Sequence, residues 1–200
     1  MVLASDMTKK GNMRQDVWRL VGRYVIGFCG VLLAFVSNGT SAQDLKGQSG
    51  LPLPRFVSLK ADRVNIRVGP GKEYRIAWVF RRAGLPVEII REHKGWRQVR
   101  DSVGDTGWVS GVMLSGRRTA LVMPPPDGAG GNGTMAARSK GTSLHLDDRQ
   151  SSDVIAVIEP GVVASIDQCD GVWCQVTIGK FYGYLHQKVL WGVYPREVVK

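Results

Sequence analysis

The stretch Gly95-Trp96-Arg97-Gln98-Val99 returns 77 positions later as Val172-Trp173-Cys174-Gln175-Val176. The echo continues in both directions. Upstream, Asn65-Ile66-Arg67-Val68 aligns with Ser143-Leu144-His145-Leu146 at an offset of 78, and Ala83-Gly84 with Pro160-Gly161 at 77. Downstream, Gly107-Trp108-Val109 aligns with Gly183-Tyr184-Leu185, and Leu114 and Gly116 with Leu190 and Gly192, all at 76. The offset drifts by two residues in all, and each change falls in a turn-rich segment. Such self-similarity marks two copies of one structural unit, each of about 60 residues.

Within a unit the pattern is that of short strands. Residues 65–68 alternate, with Ile66 and Val68 on one face, until Gly69-Pro70-Gly71 breaks the run. Residues 76–81 and 85–90 are apolar and β-branched, parted by Arg82-Ala83-Gly84. Lys94-Gly95 turns the chain into 96–100, and residues 101–105 turn it again into 106–109. Five short strands at intervals of about 8–12 residues predict an all-β unit, a small sandwich or barrel. Gly 25 and Pro 9 make 34 of 200 residues, which favours turn-rich β structure over a helical bundle. With 44% apolar and 22% charged residues, the chain is neither disordered nor a polytopic membrane protein.

The first segment reads as an address. Lys9, Lys10, Arg14, Arg19 and Arg23 outnumber Asp6 and Asp16, and residues 24–36 (YVIGFCGVLLAFV) form an unbroken apolar run. Thr40 and Ala42 then occupy the minus-three and minus-one positions of a cut before Gln43. This is the order of a secretory signal peptide, cleaved between Ala42 and Gln43. A permanent inner-membrane anchor wants about 20 apolar residues, more than this run supplies. Export places the chain in the periplasm, where disulfides persist, and it meets the membrane only through this segment if the segment stays uncleaved.

The expected organisation is signal peptide 1–42, linker 43–54, first unit 55–123, Pro/Gly-rich linker 124–138 and second unit 139–200. The second linker pairs a stiff proline stretch with a flexible glycine stretch, which reads as a spacer and suggests no fixed docking of the two units.

Residues 64–71 (VNIRVGPG), 82–85 (RAGL), 95–99 (GWRQV), 107–109 (GWV) and Leu114 together resemble the bacterial SH3-like domain of exported proteins, in matching order and spacing across 57–116. The resemblance implies two tandem SH3-like β-barrels, five- to six-stranded, that serve as binding modules, often for cell-wall (peptidoglycan) peptide or glycan. It implies no catalytic residues. The second unit is divergent, with Ser143-Leu144-His145-Leu146-Asp147-Asp148 and Gly183-Tyr184-Leu185 at the motif positions.

Charge separates the units. Residues 57–122 hold 13 Lys+Arg against six Asp+Glu, whereas 136–200 hold seven of each. In the first unit Tyr74, Trp78, Trp96 and Trp108 are interleaved with Arg67 and Arg97, and these six are the candidate ligand-binding residues. Aromatic faces stack on sugar or peptide, and guanidinium groups bond carboxylates. The alternative for Trp96 and Trp108 is a core position in the barrel. The expected function is a non-enzymatic periplasmic binding module that recognises cell-wall or peptide ligands through the first unit. An envelope adaptor that binds a protein partner is the second reading. The same residues suit single-stranded nucleic acid, but export argues against that partner.

Cys169 and Cys174 flank a four-residue loop, and in a hairpin such residues face each other, which favours a disulfide. A redox-active pair is the alternative, although the spacing is not Cys-x-x-Cys and no helix N-terminus is evident to activate a thiolate. A zinc site with His145 and His186 would draw on histidines far apart in sequence. A cysteine hydrolase needs a thiolate, a histidine and an orienting group on a larger scaffold. No cofactor is expected.

Overall fold

The computed structural model describes residues 45–125 and 141–200. The expected signal peptide, its cut between Ala42 and Gln43, and most of the 124–138 linker lie outside the described residues. Among the described residues there is no α-helix, and the strands gather into two curved sheets and one small hairpin.

The hairpin comes first, with β1 (Leu45–Lys46) paired to β2 (Pro52–Leu53). The stretch expected as a linker is therefore ordered. The first barrel follows as β3 (Arg55–Leu59), β4 (Val64–Arg67), β5 (Ile76–Phe80), β6 (Pro86–His93), β7 (Trp96–Arg100), β8 (Thr106–Ser110) and β9 (Leu114–Ser115). The second is β10 (Thr119–Val122), β11 (Thr142–His145), β12 (Val154–Ile158), β13 (Val163–Asp170), β14 (Trp173–Ile178), β15 (Phe181–His186) and β16 (Leu190–Trp191), with β17 (Val198–Val199) added on β13.

The repeat holds strand by strand. One sheet runs β5-β4-β8-β7-β6-β3-β9 and the other β12-β11-β15-β14-β13-β10-β16. Even the irregularities recur. A register shift at Ile66/Arg67 matches one at Leu144/His145, and one at Ile89/Arg91 matches one at Ile166/Gln168. A bulge re-aims the side chains beyond it, so shared bulges mean shared side-chain directions. Gly84 and Gly161, at φ 77° and 88°, make the same turn ahead of β6 and β13, and no Cβ is tolerated there without strain.

Each barrel buries the inward half of its alternating strands. Leu59, Val64, Ile66, Val87, Ile89, Val99 and Val109 form the first core. Val122, Leu144, Ala164, Ile166, Val176 and Leu185 take the equivalent places in the second, joined by Cys169, Cys174 and Leu190 among others. Cores this small leave a barrel short of buried surface. Contact between the barrels adds to it.

That contact corrects the expected organisation. Leu59 of β3 pairs with Leu114, and Val122 of β10 pairs with Leu190, so β10 is the second barrel's copy of β3. The expected bounds, 55–123, assign it to the first unit. Four residues, 60–63, join β3 to β4, whereas 19 residues, 123–141, join β10 to β11. The Pro/Gly-rich segment is thus an insertion within the second barrel, and only residues 116–118 connect the two barrels.

With so short a connection the barrels dock. Phe56, 7% exposed, faces the second barrel and packs edge-on against Trp191 at 5.2 Å and tilted against Tyr194 at 4.7 Å. The Tyr194 hydroxyl donates to Glu88 Oε1 at 2.9 Å, and Arg100 Nε donates to the other carboxylate oxygen at 2.8 Å. Thr119 Oγ1 donates to the Gly84 carbonyl at 2.7 Å, and Arg82 Nη1 to the Gly161 carbonyl at 3.0 Å.

Candidate functional site

Alternation sends every second residue of β4, β8, β7 and β6 outward, and register decides which of these stand side by side. Arg67 lies opposite Trp108, Trp108 opposite Gln98, and Gln98 opposite Arg91. This makes a row of guanidinium, indole, amide and guanidinium across four strands. Trp96 stands two residues along β7 from Gln98, between His93 and Ser110. Trp96 and Trp108 are both half-buried, and Arg91 is exposed. The core alternative for the two tryptophans does not describe this face, because the inward positions beside them belong to Val99 and Val109.

The other candidates sit elsewhere. Arg67 Nη1 donates to the carbonyls of Lys72 and Tyr74, at 3.0 Å for Lys72, so it clasps the loop after β4 while facing Trp108. Tyr74 is exposed and its ring lies against Gly69. Trp78 pairs with inward-facing Ile66, packs on the first core and reaches over Gly107, where any Cβ would meet Ile66 and the indole. It lies on the end strand β5, apart from the row. Arg97 points to the other side of β7, opposite Glu92 and Val109.

Arg97 has a structural partner. Its Nε lies 3.1 Å from Glu92 Oε1, and Arg55 Nη2 donates to the same oxygen at 2.6 Å. The Ser49 amide and hydroxyl donate to Glu92 at 2.7 and 2.8 Å, which fastens the β1–β2 hairpin to the barrel. The Glu92 side chain is 1% exposed. Burial alone would raise its pKa, but the Arg55 and Ser49 hydrogen bonds and the Arg97 charge hold it at about 2.

In the second barrel the pair at this register is Cys169 and Cys174, joined in a disulfide across β13 and β14. There β17 takes the fastened position, with Cys169 opposite Val199. The histidines named for zinc pack on one indole, His145 at 5.4 Å and His186 at 5.3 Å from the Trp173 ring. Among the described residues no group of three or more His, Cys, Asp or Glu side chains is placed to hold a metal.

The second barrel's counterpart of the row is His145, Tyr184, Gln175 and Gln168. Its character differs. His145 is 4% and Trp173 9% exposed, and Gln175 Nε2 donates to the Tyr184 hydroxyl at 2.9 Å. Asp148 and Asp170 border the shallow cleft there, beside Gln168, Tyr184 and Val199. Hydrogen bonds from the Trp173 and Val172 amides hold the Asp170 carboxyl below its ordinary pKa, so it stays charged. The first face is basic, whereas Asp148, Asp170 and Lys200 give the second charges of both signs. Arg91 and Gln98 complete the first row and were missed in the sequence. The signal available was their place in the repeat, since Gln98 and Gln175 recur at the same motif position.

A family model described as the bacterial SH3 domain matches residues 60–116 and 149–192. No curated protein matches the chain. Among solved structures, NlpC2 from Trichomonas vaginalis is similar at 14% identity and a TM-score of 0.29, covering 69% of this chain and 48% of that one. NlpC1 from the same organism is similar at 13% identity and a TM-score of 0.30, covering 73% and 48%. The chain spans about half the length of these structures.

Proposed function

The chain belongs to the bacterial SH3 domain family, and on that premise we propose a non-enzymatic binding module of the cell envelope whose first barrel takes a cell-wall peptide or glycan. The observation that carries this reading is the row Arg67, Trp108, Gln98 and Arg91 with Trp96 beside it. Half-buried indoles are held rigid by their strands and offer flat faces to sugar rings or apolar side chains at little entropic cost. The exposed Arg91 supplies a fork for a carboxylate. Gln98, between them, both donates and accepts. The disulfide supports an oxidising compartment such as the periplasm. It also leaves neither of these cysteines as a thiolate nucleophile.

Retention on purified cell wall tests the reading. The protein should be held at low salt, and Trp108→Ala or Arg91→Ala should weaken retention by about tenfold or more, whereas Gln175→Ala on the second face should not. A folded protein that is not retained at low salt sinks the cell-wall reading. Equal losses from both faces would show that the first barrel has no special part.

One feature favours an envelope adaptor as the second reading. The edge strand β12 exposes Val154, Ile155 and Val157 beside Leu146, a surface suited to a protein partner. Crosslinking in cells discriminates the two, because an adaptor gives one recurrent protein partner.

A further inference from the structure

The docking of the barrels creates a cleft of about 410 Å³ that neither barrel possesses alone. Its polar wall is Ser58, Lys60 and Ser115 from the first barrel, Thr119, Ser165 and Thr177 from the second, and Arg117 from the three-residue connection. The volume falls in the range of small-molecule sites.

The hydrogen bonds already present fix what the cleft has left to offer. Thr119 Oγ1 donates to the Gly84 carbonyl at 2.7 Å, and Thr177 Oγ1 donates to Asp167 at 2.9 Å. Each hydroxyl has spent its only proton, so each presents lone pairs to a ligand. Ser165 is the reverse. It accepts from Arg117 Nη2 at 2.7 Å, which leaves its own proton to give. Lys60 is exposed and makes no ion pair among the described residues. No carboxylate lines the cleft. Asp167 stands behind Thr177, and Asp62 accepts from the Ala83 amide at 3.2 Å.

Acceptors that want hydroxyl protons therefore stand beside two cations and a free hydroxyl donor. A bare anion satisfies only the second set, and a neutral sugar only the first. We propose that the cleft between the barrels binds a small polyhydroxylated anion, a sugar acid or a sugar phosphate, with its charge at Lys60 and Arg117 and its hydroxyls donating to Thr119 and Thr177. The site is separate from the outer face of the first barrel and exists only while the barrels are docked.

Isothermal titration of the full chain at low salt, with glucuronate, glucose 6-phosphate, glucose and inorganic phosphate, tests the proposal. Glucuronate or glucose 6-phosphate should bind saturably, at least tenfold more tightly than glucose and than inorganic phosphate, and the tighter of the two identifies a carboxylate or a phosphate source. Lys60→Gln should weaken that binding by about tenfold, the loss of one charge-assisted contact. Thr177→Val should weaken the sugar anion while leaving inorganic phosphate unchanged. Lys72→Gln, the same change of charge elsewhere on the surface, should have no effect. Absence of saturable binding by either sugar anion overturns the proposal. So does glucose binding as tightly as glucuronate, or an affinity that Lys60→Gln leaves unchanged.

Discussion

Replacing Glu92 with Gln keeps the shape of a buried side chain and removes its charge. In the folded protein that carboxylate accepts from Arg55 and from the amide and hydroxyl of Ser49, with Arg97 beside it, and its pKa is held at about 2 against an ordinary 4.5. At about 1.4 kcal/mol per pKa unit, the ionised form contributes about 3–4 kcal/mol to folding. Because the folded pKa is the lower one, this contribution is complete above pH 4.5 and disappears as the pH falls from 4.5 to 2. For a folded body of this size each kcal/mol moves the melting temperature by about 2–4 °C, so Glu92→Gln should melt about 6–16 °C below the parent at pH 7. Thermal melts by circular dichroism at steps from pH 7 to pH 2 should show the two curves converging. Limited proteolysis at pH 7 should also cut the variant sooner near Ser49, because the β1–β2 hairpin has lost its fastening. A gap that stays constant down to pH 2, or no gap at pH 7, would refute the reasoning.

Three further outcomes follow from the same contacts. A protease site placed in the 126–140 insertion should yield two fragments that co-elute on size exclusion, because β10 stays paired with β13 and β16 after the cut; separate elution would mean that β10 is not a strand of the second barrel. Cys169→Ala with Cys174→Ala should melt a few degrees lower, since so short a loop gives about 2 kcal/mol or less, and the parent's peptide should be about two mass units lighter than its reduced form. Tyr194→Phe removes the hydrogen bond to Glu88 between the barrels and should cost about 1.5–3 kcal/mol. Burial first and the Glu88 contact second push the Tyr194 hydroxyl far above its ordinary pKa, so alkaline absorbance titration should lose its latest-ionising tyrosine in that variant.

The repeat, and with it the fold, was legible because the core-facing positions of both units stay apolar at nearly constant offset. Ile66 and Leu144, Val99 and Val176, and Val109 and Leu185 are buried pairs at offsets of 78, 77 and 76. The place of β10 was not legible. Its offset from β3 is 63, from Leu59 to Val122, and the insertion after it breaks the period before any motif begins. Proline and glycine look alike in a loop within a domain and in a spacer between domains, so composition gave the wrong path for the chain. The candidate site was half legible. Arg67, Trp96 and Trp108 share the outer face, but a residue list carries no strand register, and register is what joins Gln98 and Arg91 to them. Trp78 and Arg97 are of the right chemical type on the wrong side of their strands.

The two barrels are fastened at the same register by bonds of different chemistry. Glu92 with Arg97 answers to protons and is indifferent to thiols, while Cys169 with Cys174 answers to reductant and is indifferent to pH over the range where a carboxylate titrates. Each fastening also holds a terminal segment, the β1–β2 hairpin in one case and β17 in the other. Loss of the Glu92 charge therefore loosens the beginning of the described chain, and reduction loosens the Cys169–Cys174 pair near its end. Because the docked barrels share Phe56, Trp191 and the Tyr194–Glu88 bond, the barrel that keeps its fastening stays a template for the one that has lost it. Losing one of these two fastenings leaves the other in place.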